Sequence, residues 1–411
     1  GMGGSSLACE VYRTCFPAAS GYPILEVLDS TNPGAVSDLA GRLDLKRTLF
    51  IAASKSGSTI EPNCLLSYFY DQVGKAGEKA GNHFIAITDP GTSMEKLART
   101  LAFRKIFINP PDIGGRYSAL SLFGLVPAGL MGVDLGRLLD RARACSRDEE
   151  AAAILGAFWG FPALSGRDKL TLSLSPGLES FGLWIEQLVA ESTGKEGRGV
   201  LPVVESLGPV ERYGQDRVFV RLTLKGEEQP EIESRLAALE KAGHPVMRLA
   251  LNDLYDLGWQ FFLWEAATAA AGFLLGVNPF DQPNVQQAKD QTKNLLSQLH
   301  KGALPSESPD FRAGGLPAFA DAELTRNLKA SPSSHLPLKD ALAAHFERLK
   351  EGDYCVLLAY MNNNPENRRR LNKIRDEIRE TTTAPVAVAW GPRYLHSTGQ
   401  LYKGGSPKGL F

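Results

Sequence analysis

Short apolar runs alternate with stretches of helical spacing along most of the chain. In the first 110 residues the apolar runs predict strands at 22–28, 49–53, 84–88 and 105–108. A second block begins at Leu170 and predicts strands at 170–174, 217–224 and 246–251. The intervening stretches, such as 60–77 and 177–191, carry apolar residues at helical spacing. Strands that alternate with helices predict an α/β fold of mostly parallel sheets with helices on both faces.

The length of the chain and the composition of its segments predict two domains. A chain of 411 residues is too long for one ordinary core. We place the first domain at 1–160 and the second at 161–411. The stretch 302–334 is rich in Pro, Ser, Gly and Ala, and is predicted to be a linker or a surface excursion of the second domain.

The composition narrows the class of protein. The chain is 43% hydrophobic and 22% charged, with a net charge of −1, so nothing predicts a nucleic-acid groove or a membrane surface. Its five cysteines show no paired metal spacing, which fits reduced thiols in the cytoplasm. The longest apolar run, 119–133, contains Pro127 and is too short to span a bilayer. We therefore expect a cytoplasmic protein without a metal or redox cofactor.

A loop rich in hydroxyl groups lies between the predicted strand 49–53 and the helix that begins near Glu61. Backbone N–H groups and the dipole at a helix start favour an anion, and hydroxyls can donate to phosphate oxygens. An ordinary polar turn is the alternative, but four hydroxyls within six residues favour a phosphate site. The predicted site comprises Ser54, Lys55, Ser56, Gly57, Ser58 and Thr59.

Three further residues, in two segments, are candidates for a role in binding or catalysis. Arg116 follows two glycines, which allow the backbone to approach a ligand closely. Gln187 precedes Glu191 by one helical turn and therefore shares a helix face with it. A surface arginine and a solvated carboxylate at a helix end are the alternatives. A carboxylate at a helix C-terminus is slightly unfavourable, however, which favours a functional role for Glu191.

Several separate segments of the chain resemble phosphoglucose isomerases. They include Ser-Lys-Ser-Gly-Ser-Thr-x-Glu, Gly-Gly-Arg-Tyr-Ser, Gln-x-x-x-Glu-Ser-x-Gly-Lys, Asn-Pro-Phe-Asp-Gln-Pro and His-Ser-x-Gly-Gln, at 54–61, 114–118, 187–195, 278–283 and 396–400. The resemblance implies two sugar isomerase (SIS) domains that act on a sugar phosphate. It also implies reversible conversion of glucose 6-phosphate to fructose 6-phosphate through an enediolate, without a cofactor, by a homodimer.

The resemblance implies a role for each matched side chain. Glu191 would be the base, Arg116 would stabilise the enediolate, and Gln187 would orient the sugar. Lys289 and His396 would assist ring opening, with the histidine reaching across the dimer interface.

Substrate binding would involve three more residues outside the hydroxyl-rich loop. Gly4 and Ser5 belong to a Gly-x-Gly-Gly-Ser segment that follows a strand in the family, although no such strand precedes it here. Gln282 falls at the spacing that the family uses to reach the sugar phosphate. We expect the chain to be a piece of a longer protein.

The order of the segments departs from that of the usual enzymes. Their histidine segment precedes the Asn-x-Phe-Asp-Gln segment, whereas His396 follows it here. Tyr213 lies near the usual position and is the alternative for ring opening, although a phenol is a poor match to neutral pH. His244 has no matching context and is expected to be structural. The order resembles the isomerase part of transaldolase–phosphoglucose isomerase fusions.

Two other functions are compatible with these motifs. One is a dual phosphoglucose/phosphomannose isomerase, which the same motifs would serve. The other is a non-catalytic sugar-phosphate regulator, which would need the hydroxyl-rich loop but not Glu191, Lys289 and His396.

Overall fold

A computed structural model describes residues 1–300 and 307–411 of the chain. Within α11 (Pro283–His300) it leaves several side chains undescribed: Val285, Gln286, Ala288, Lys289, Lys293 and His300. The role predicted for Lys289 therefore concerns a side chain outside the described residues.

The first sheet contains three parallel strands. These are β1 (Phe50–Ala53), β2 (Phe84–Thr88) and β3 (Lys105–Ile108), in the order β1-β2-β3. The helices of this half of the chain are α1 (Gly4–Cys15), α2 (Pro33–Ala40), α3 (Ile60–Lys75), α4 (Ser93–Thr100), α5 (Leu122–Leu130), α6 (Leu135–Cys145) and α7 (Glu149–Leu164). The predicted strands 49–53, 84–88 and 105–108 are therefore present.

The predicted strand 22–28 is not formed. Its residues alternate in burial over 24–27, as in a strand, but they belong to no ladder among the described residues. A strand is defined by pairing, and the period of two alone does not supply a partner.

The second sheet also contains only parallel pairs. Its strands are β4 (Lys169–Leu174), β5 (Leu201–Val204), β6 (Arg217–Leu224) and β7 (Val246–Leu251), in the order β5-β4-β6-β7. Its helices are α8 (Glu179–Thr193), α9 (Pro230–Lys241) and α10 (Leu257–Leu275). Two aromatic residues of α10, Phe261 and Trp264, are fully buried.

One hydrophobic core joins the two halves of the chain. Tyr12 of α1 and Trp159 of α7 belong to the same buried cluster as Trp184 of α8 and Trp264 of α10. The division into two domains stays a prediction, and its boundary at 160/161 falls inside α7.

The remaining chain adds two small sheets. The first, in the order β10-β8-β9, contains β8 (Phe311–Ala313), β9 (Leu316–Ala318) and β10 (His335–Leu336), and β8–β9 is antiparallel. The second, β12-β11-β13, is parallel and contains β11 (Tyr354–Ala359), β12 (Val386–Trp390) and β13 (Gly409–Leu410). The helices are α11, α12 (Ala322–Asn327), α13 (Leu338–Phe346), α14 (Pro365–Thr381) and α15 (Gly399–Gly404). The described part of the predicted linker, 307–334, thus contains two strands and a helix.

The predicted α/β class with mostly parallel sheets is confirmed. In such sheets, ligands bind beyond the carboxyl ends of the strands. The hydroxyl-rich loop follows the carboxyl end of β1. Among the described helices, none combines the length and apolar composition that crossing a bilayer requires.

Candidate active site

The hydroxyl-rich loop is held in a tight turn after β1. Gly57 has a φ of 66°, and a Cβ there would lie 2.8 Å from the Met94 nitrogen. The Gly57 carbonyl accepts hydrogen bonds from Ser93 Oγ at 2.9 Å and Asn63 Nδ2 at 3.2 Å. The positive φ and the close approach both require glycine, so this position fixes the path of the loop.

The side chains of this loop differ in their availability to a ligand. Ser56 and Ser58 are accessible, with their hydroxyl oxygens 3.0 Å apart. Thr59 occupies the N-cap position of α3, but its side chain accepts no capping hydrogen bond from the described residues. Ser54 is buried, and its hydroxyl has no partner within the described parts of the chain. The Lys55 ammonium is already paired with Asp89, so phosphate binding by Lys55 stays a prediction.

Arg116 is buried and contacts Glu191, another of the predicted catalytic residues. Its Nε donates to Ser192 Oγ at 2.7 Å, and its Nη2 donates to the carbonyl oxygens of Pro279 and Asp281 at 2.6 and 2.9 Å. Its Nη1 donates to Gln282 Oε1 at 2.8 Å and lies 3.2 Å from Glu191 Oε1. Arg116 therefore donates four hydrogen bonds and forms an ion pair with Glu191.

Gln187 and Glu191 face the same site from α8. Gln187 Nε2 donates to Glu191 Oε2 at 2.9 Å and to the main-chain oxygen of His396 at 3.1 Å. Glu191 is 7% exposed, and its two carboxylate oxygens contact Arg116 and Gln187. The helical spacing seen in the sequence therefore places the two side chains in direct contact, as expected.

His396 has two contacts with other segments of the same chain, and the predicted reach of its ring across a dimer interface stays a prediction. Its main chain contacts Gln187, and its ring Nε2 lies 2.8 Å from Glu61 Oε1 at the start of α3. The sequence placed Glu61 at the start of a helix but did not predict its contact with the histidine. The sequence contained one indication that Glu61 belongs to the site: it lies in the matched segment 54–61, close to the hydroxyl-rich loop.

The N-terminal glycines allow three segments to meet. A Cβ on Gly3, whose φ is 57°, would lie 2.3 Å from the His396 oxygen. A Cβ on Gly4 would lie 1.9 Å from the Gly115 oxygen. Ser5 is turned back onto the Met2 carbonyl at 3.0 Å. Gly4 and Ser5 form the first turn of α1, and this turn lies against the 114–116 turn.

Lys195 contacts the segment that surrounds Arg116, although no role was predicted for it from the sequence. Its Nζ lies 2.7 Å from Asp281 Oδ1 and donates to the Asn278 carbonyl. Burial lowers the pKa of Lys195, while the Asp281 carboxylate opposes this shift. Lys195 therefore links the end of α8 to the segment that supplies three of the four hydrogen-bond acceptors of Arg116.

Glu186 is a second carboxyl group of α8 with a different environment. It accepts a hydrogen bond from the Val204 nitrogen at 3.1 Å. Burial raises the pKa of Glu186 to about 7, and both this hydrogen bond and Arg393 oppose the shift. The Glu186 carboxyl group therefore lies in a poorly hydrated environment, although Glu186 is next in sequence to Gln187.

Tyr213 belongs to another part of the molecule. Its hydroxyl accepts a hydrogen bond from the Gly208 nitrogen at 2.7 Å, and its ring packs edge-on against Phe219 at 5.0 Å. Burial raises the pKa of Tyr213, which makes its phenol still less suited to proton transfer near neutral pH. His244 packs against the same Phe219 ring and is also buried. Both residues belong structurally to the β6 side of the second sheet.

The titratable groups of the site pair with one another. Glu191 pairs with Arg116, and Glu61 pairs with His396. Within the described residues, no group of three or more histidine, cysteine, aspartate or glutamate side chains is arranged to hold a metal ion. The paired arrangement is suited to moving protons beside a fixed positive charge.

Comparisons with known proteins agree with the sequence resemblance. Residues 1–201 match the family model described as phosphoglucose isomerase. A probable glucose-6-phosphate isomerase from Methanococcus maripaludis is 28% identical over 72% of this chain and 77% of its own length. The glucose-6-phosphate isomerase of Campylobacter jejuni is 26% identical over 72% of this chain and 84% of its own length. The crystal structure of a hypothetical protein from Thermus thermophilus matches with a TM-score of 0.65 and 28% identity, covering 72% of this chain and 82% of that one.

Proposed function

Since residues 1–201 belong to the phosphoglucose isomerase family, we propose that this chain interconverts glucose 6-phosphate and fructose 6-phosphate. The predicted family and the predicted isomerase class are confirmed by the comparisons. The observation that carries the site assignment is the contact of Glu191 with both Gln187 and Arg116, beside His396. Three segments that are distant in sequence meet there, around Arg116, Gln187–Glu191 and His396.

Glu191 is proposed as the base that moves a proton between C1 and C2. The Arg116 guanidinium lies 3.2 Å from the Glu191 carboxylate and places a fixed positive charge beside the proposed base. The Gln187 amide holds the other carboxylate oxygen, which restricts rotation of the group. The base is therefore held in one orientation before the substrate arrives.

Arg116 is proposed to stabilise the enediolate chiefly through its charge. Its guanidinium already donates four hydrogen bonds and pairs with Glu191, so a substrate oxygen would replace one of these partners to bind directly. Gln282 is the most exchangeable of these acceptors because its side chain is exposed. A buried cation in fixed position stabilises developing negative charge without reorganisation.

His396 is proposed to open the sugar ring, with Lys289 assisting. An imidazole can both donate and accept a proton near neutral pH. The Glu61 carboxylate accepts from one ring nitrogen, which leaves the other nitrogen for the substrate. Glu61 therefore orients the His396 ring from the same helix that begins after the hydroxyl-rich loop.

The hydroxyl-rich loop is proposed to bind the phosphate at the N-terminus of α3, with Gly4 and Ser5 completing the sugar site. Accessible Ser56 and Ser58 and the helix start provide donors there. Phosphate at this end places the sugar between the loop and the Glu61–His396 pair.

We also propose a cytoplasmic homodimer. Ile154 and Phe161 of α7 and Phe273 of α10 are 52%, 56% and 84% exposed, and these two helices pack against each other. Exposed apolar side chains on adjoining helices support contact with a second copy. Light scattering of the purified protein measures this assembly.

The function is tested by following fructose 6-phosphate formed from glucose 6-phosphate, with mannose 6-phosphate assayed alongside. Conversion of glucose 6-phosphate alone supports the proposal. Conversion of both sugars would identify a dual isomerase. Binding of the sugar phosphates without conversion of either would identify a regulator and overturn the proposed activity.

A further inference from the structure

The turn that carries His396 is a short element of its own. Residues Arg393–His396 form a single 3₁₀ turn soon after β12, here called the histidine turn. Main-chain hydrogen bonds of 3.0 and 3.1 Å close it, and both join residues within 392–397. Such bonds fix the shape of the turn but not its direction relative to the rest of the site. Contacts with other segments therefore set where the His396 ring points.

The two ends of the histidine turn contact carboxylates from different parts of the chain. A 3₁₀ helix has three residues per turn, so side chains three positions apart lie on the same side. At one end His396 Nε2 lies 2.8 Å from Glu61 Oε1. At the other end Arg393 Nη1 lies 3.7 Å from Asp29 Oδ2. The second contact holds the turn without using the imidazole itself.

Asp29 connects the histidine turn to the start of α1. The same Asp29 Oδ2 accepts a hydrogen bond at 3.3 Å from Ser6 Oγ, which belongs to a buried residue of α1. Gly3, just before this helix, approaches the turn so closely that a Cβ would lie 2.3 Å from the His396 oxygen. The Arg393–Asp29 pair therefore adds a side-chain connection beside an existing main-chain contact.

The Arg393–Asp29 pair is largely shielded from solvent. The two side chains are 20% and 19% exposed. Salt screens partly buried pairs less than fully exposed ones, which contribute little. Removal of one partner would leave the other charge in poorly hydrated surroundings, so the pair resists separation.

Packing alone does not hold the Arg393 side chain in place. A cavity of about 50 Å³ lies beside it and is also lined by Glu186 and Ser397. One water needs about 10–15 Å³ of such space, so the guanidinium has room on this side. The Glu186 carboxyl accepts its hydrogen bond from the Val204 nitrogen. Asp29 is therefore the carboxylate that pairs with Arg393 among the residues that the structure describes.

We propose that Arg393 is a positioning residue for ring opening, which holds the histidine turn through Asp29 so that the His396 ring meets the sugar. The inference rests on the proposed function and on the ring-opening role of His396. Ring opening moves the proton of the C1 hydroxyl to the ring oxygen as the bond between C1 and that oxygen breaks. A turn free to rotate would present the imidazole to these two oxygens less often.

The test measures ring opening apart from isomerisation. Interconversion of the α and β anomers of glucose 6-phosphate requires the ring to open and close but requires no transfer between C1 and C2. Exchange NMR measures this rate, and formation of fructose 6-phosphate measures kcat and KM. The variants are Arg393→Met, Arg393→Lys and Asp29→Asn, and the matched control is Arg369→Met, at an exposed arginine of α14.

We expect Arg393→Met to lower both kcat and the rate of anomer interconversion by about tenfold or more, with KM within about twofold of wild type. Arg393→Lys should restore most of both rates, since a cation at this position can still pair with Asp29. Asp29→Asn should lower both rates as Arg393→Met does, and the double variant should lose no more than the worse single variant. Arg369→Met should match the wild type.

Normal anomer interconversion in a folded Arg393→Met variant would overturn the proposal, as would an equal loss in Arg369→Met. A raised KM at unchanged kcat would also overturn it, because Arg393 would then bind the substrate. If Arg393→Met does not fold, Asp29→Asn decides in the same way, since its amide oxygen can still accept from Ser6. Anomer interconversion by the wild type without fructose 6-phosphate formation would instead contradict the proposed function, and the comparison of ring-opening rates would still test Arg393.

Discussion

Replacement of Glu191 by Gln separates its proposed chemical role from its structural one. The amide keeps one oxygen, which can serve the Arg116 contact of 3.2 Å, and its NH2 group replaces the oxygen that accepts from Gln187 at 2.9 Å. The amide cannot accept the C2 proton. Loss of a general base typically costs about 10²–10⁴ in turnover, or about 3–5 kcal/mol of activation free energy. We therefore expect turnover to fall by at least about a hundredfold.

The cost to folding should be much smaller. Arg116 keeps four other hydrogen bonds, to Ser192, Gln282, Pro279 and Asp281. Weakening its one contact with a charged partner costs about 1–3 kcal/mol, which leaves a domain of ordinary stability folded. Calorimetric binding of fructose 6-phosphate should therefore stay within about threefold of wild type, since binding does not need the base.

The assay combines turnover with isotope exchange. In D₂O the wild-type protein should exchange the C2 hydrogen of glucose 6-phosphate with solvent, and Glu191→Gln should not. Glu179→Gln is the matched control, because Glu179 is an exposed carboxylate at the start of the same helix. If Glu191→Gln kept more than about a tenth of wild-type turnover while Glu179→Gln was unchanged, Glu191 would not be the base.

Three further predictions concern other parts of the site. Replacing Ser56 and Thr59 together by Ala should raise the KM for glucose 6-phosphate more than it lowers kcat, because the ground state and the transition state share the phosphate contact. A fall in kcat at unchanged KM would contradict this prediction. Glu61→Gln should slow conversion of the cyclic sugar by about tenfold or more but spare C2 exchange of an open-chain substrate, and equal losses in both assays would refute an orienting role for Glu61. The pKa of Glu186 is raised to about 7 in the folded state, so the folded protein binds this proton more tightly than the unfolded chain does. The resulting stability is fully present below the unfolded pKa and is lost as the pH rises through 7. Glu186→Gln should therefore unfold at a higher temperature than wild type at pH 8 and at nearly the same temperature at pH 4, and a constant difference across this range would show that Glu186 is not buried as a neutral acid.

The sequence alone determined the main secondary-structure elements and some of the local side-chain contacts. Strands β2, β6 and β7 begin and end as predicted, because short apolar runs between turn residues determine a buried parallel strand locally. The Gln187–Glu191 contact also follows from local geometry, since the spacing of one helical turn holds in any fold.

Only the tertiary structure decided which distant residues meet. The contact of Glu61 with His396 joins residues separated by 335 positions, and no local pattern encodes such a distance. The choice between His396 and Tyr213 was open in the sequence because chain order and spatial order need not agree. In the folded chain Tyr213 packs beside β6, whereas His396 lies against Gln187. Likewise, the alternating pattern of 22–28 predicted a strand, but a strand also needs a paired neighbour, and pairing is a property of the fold.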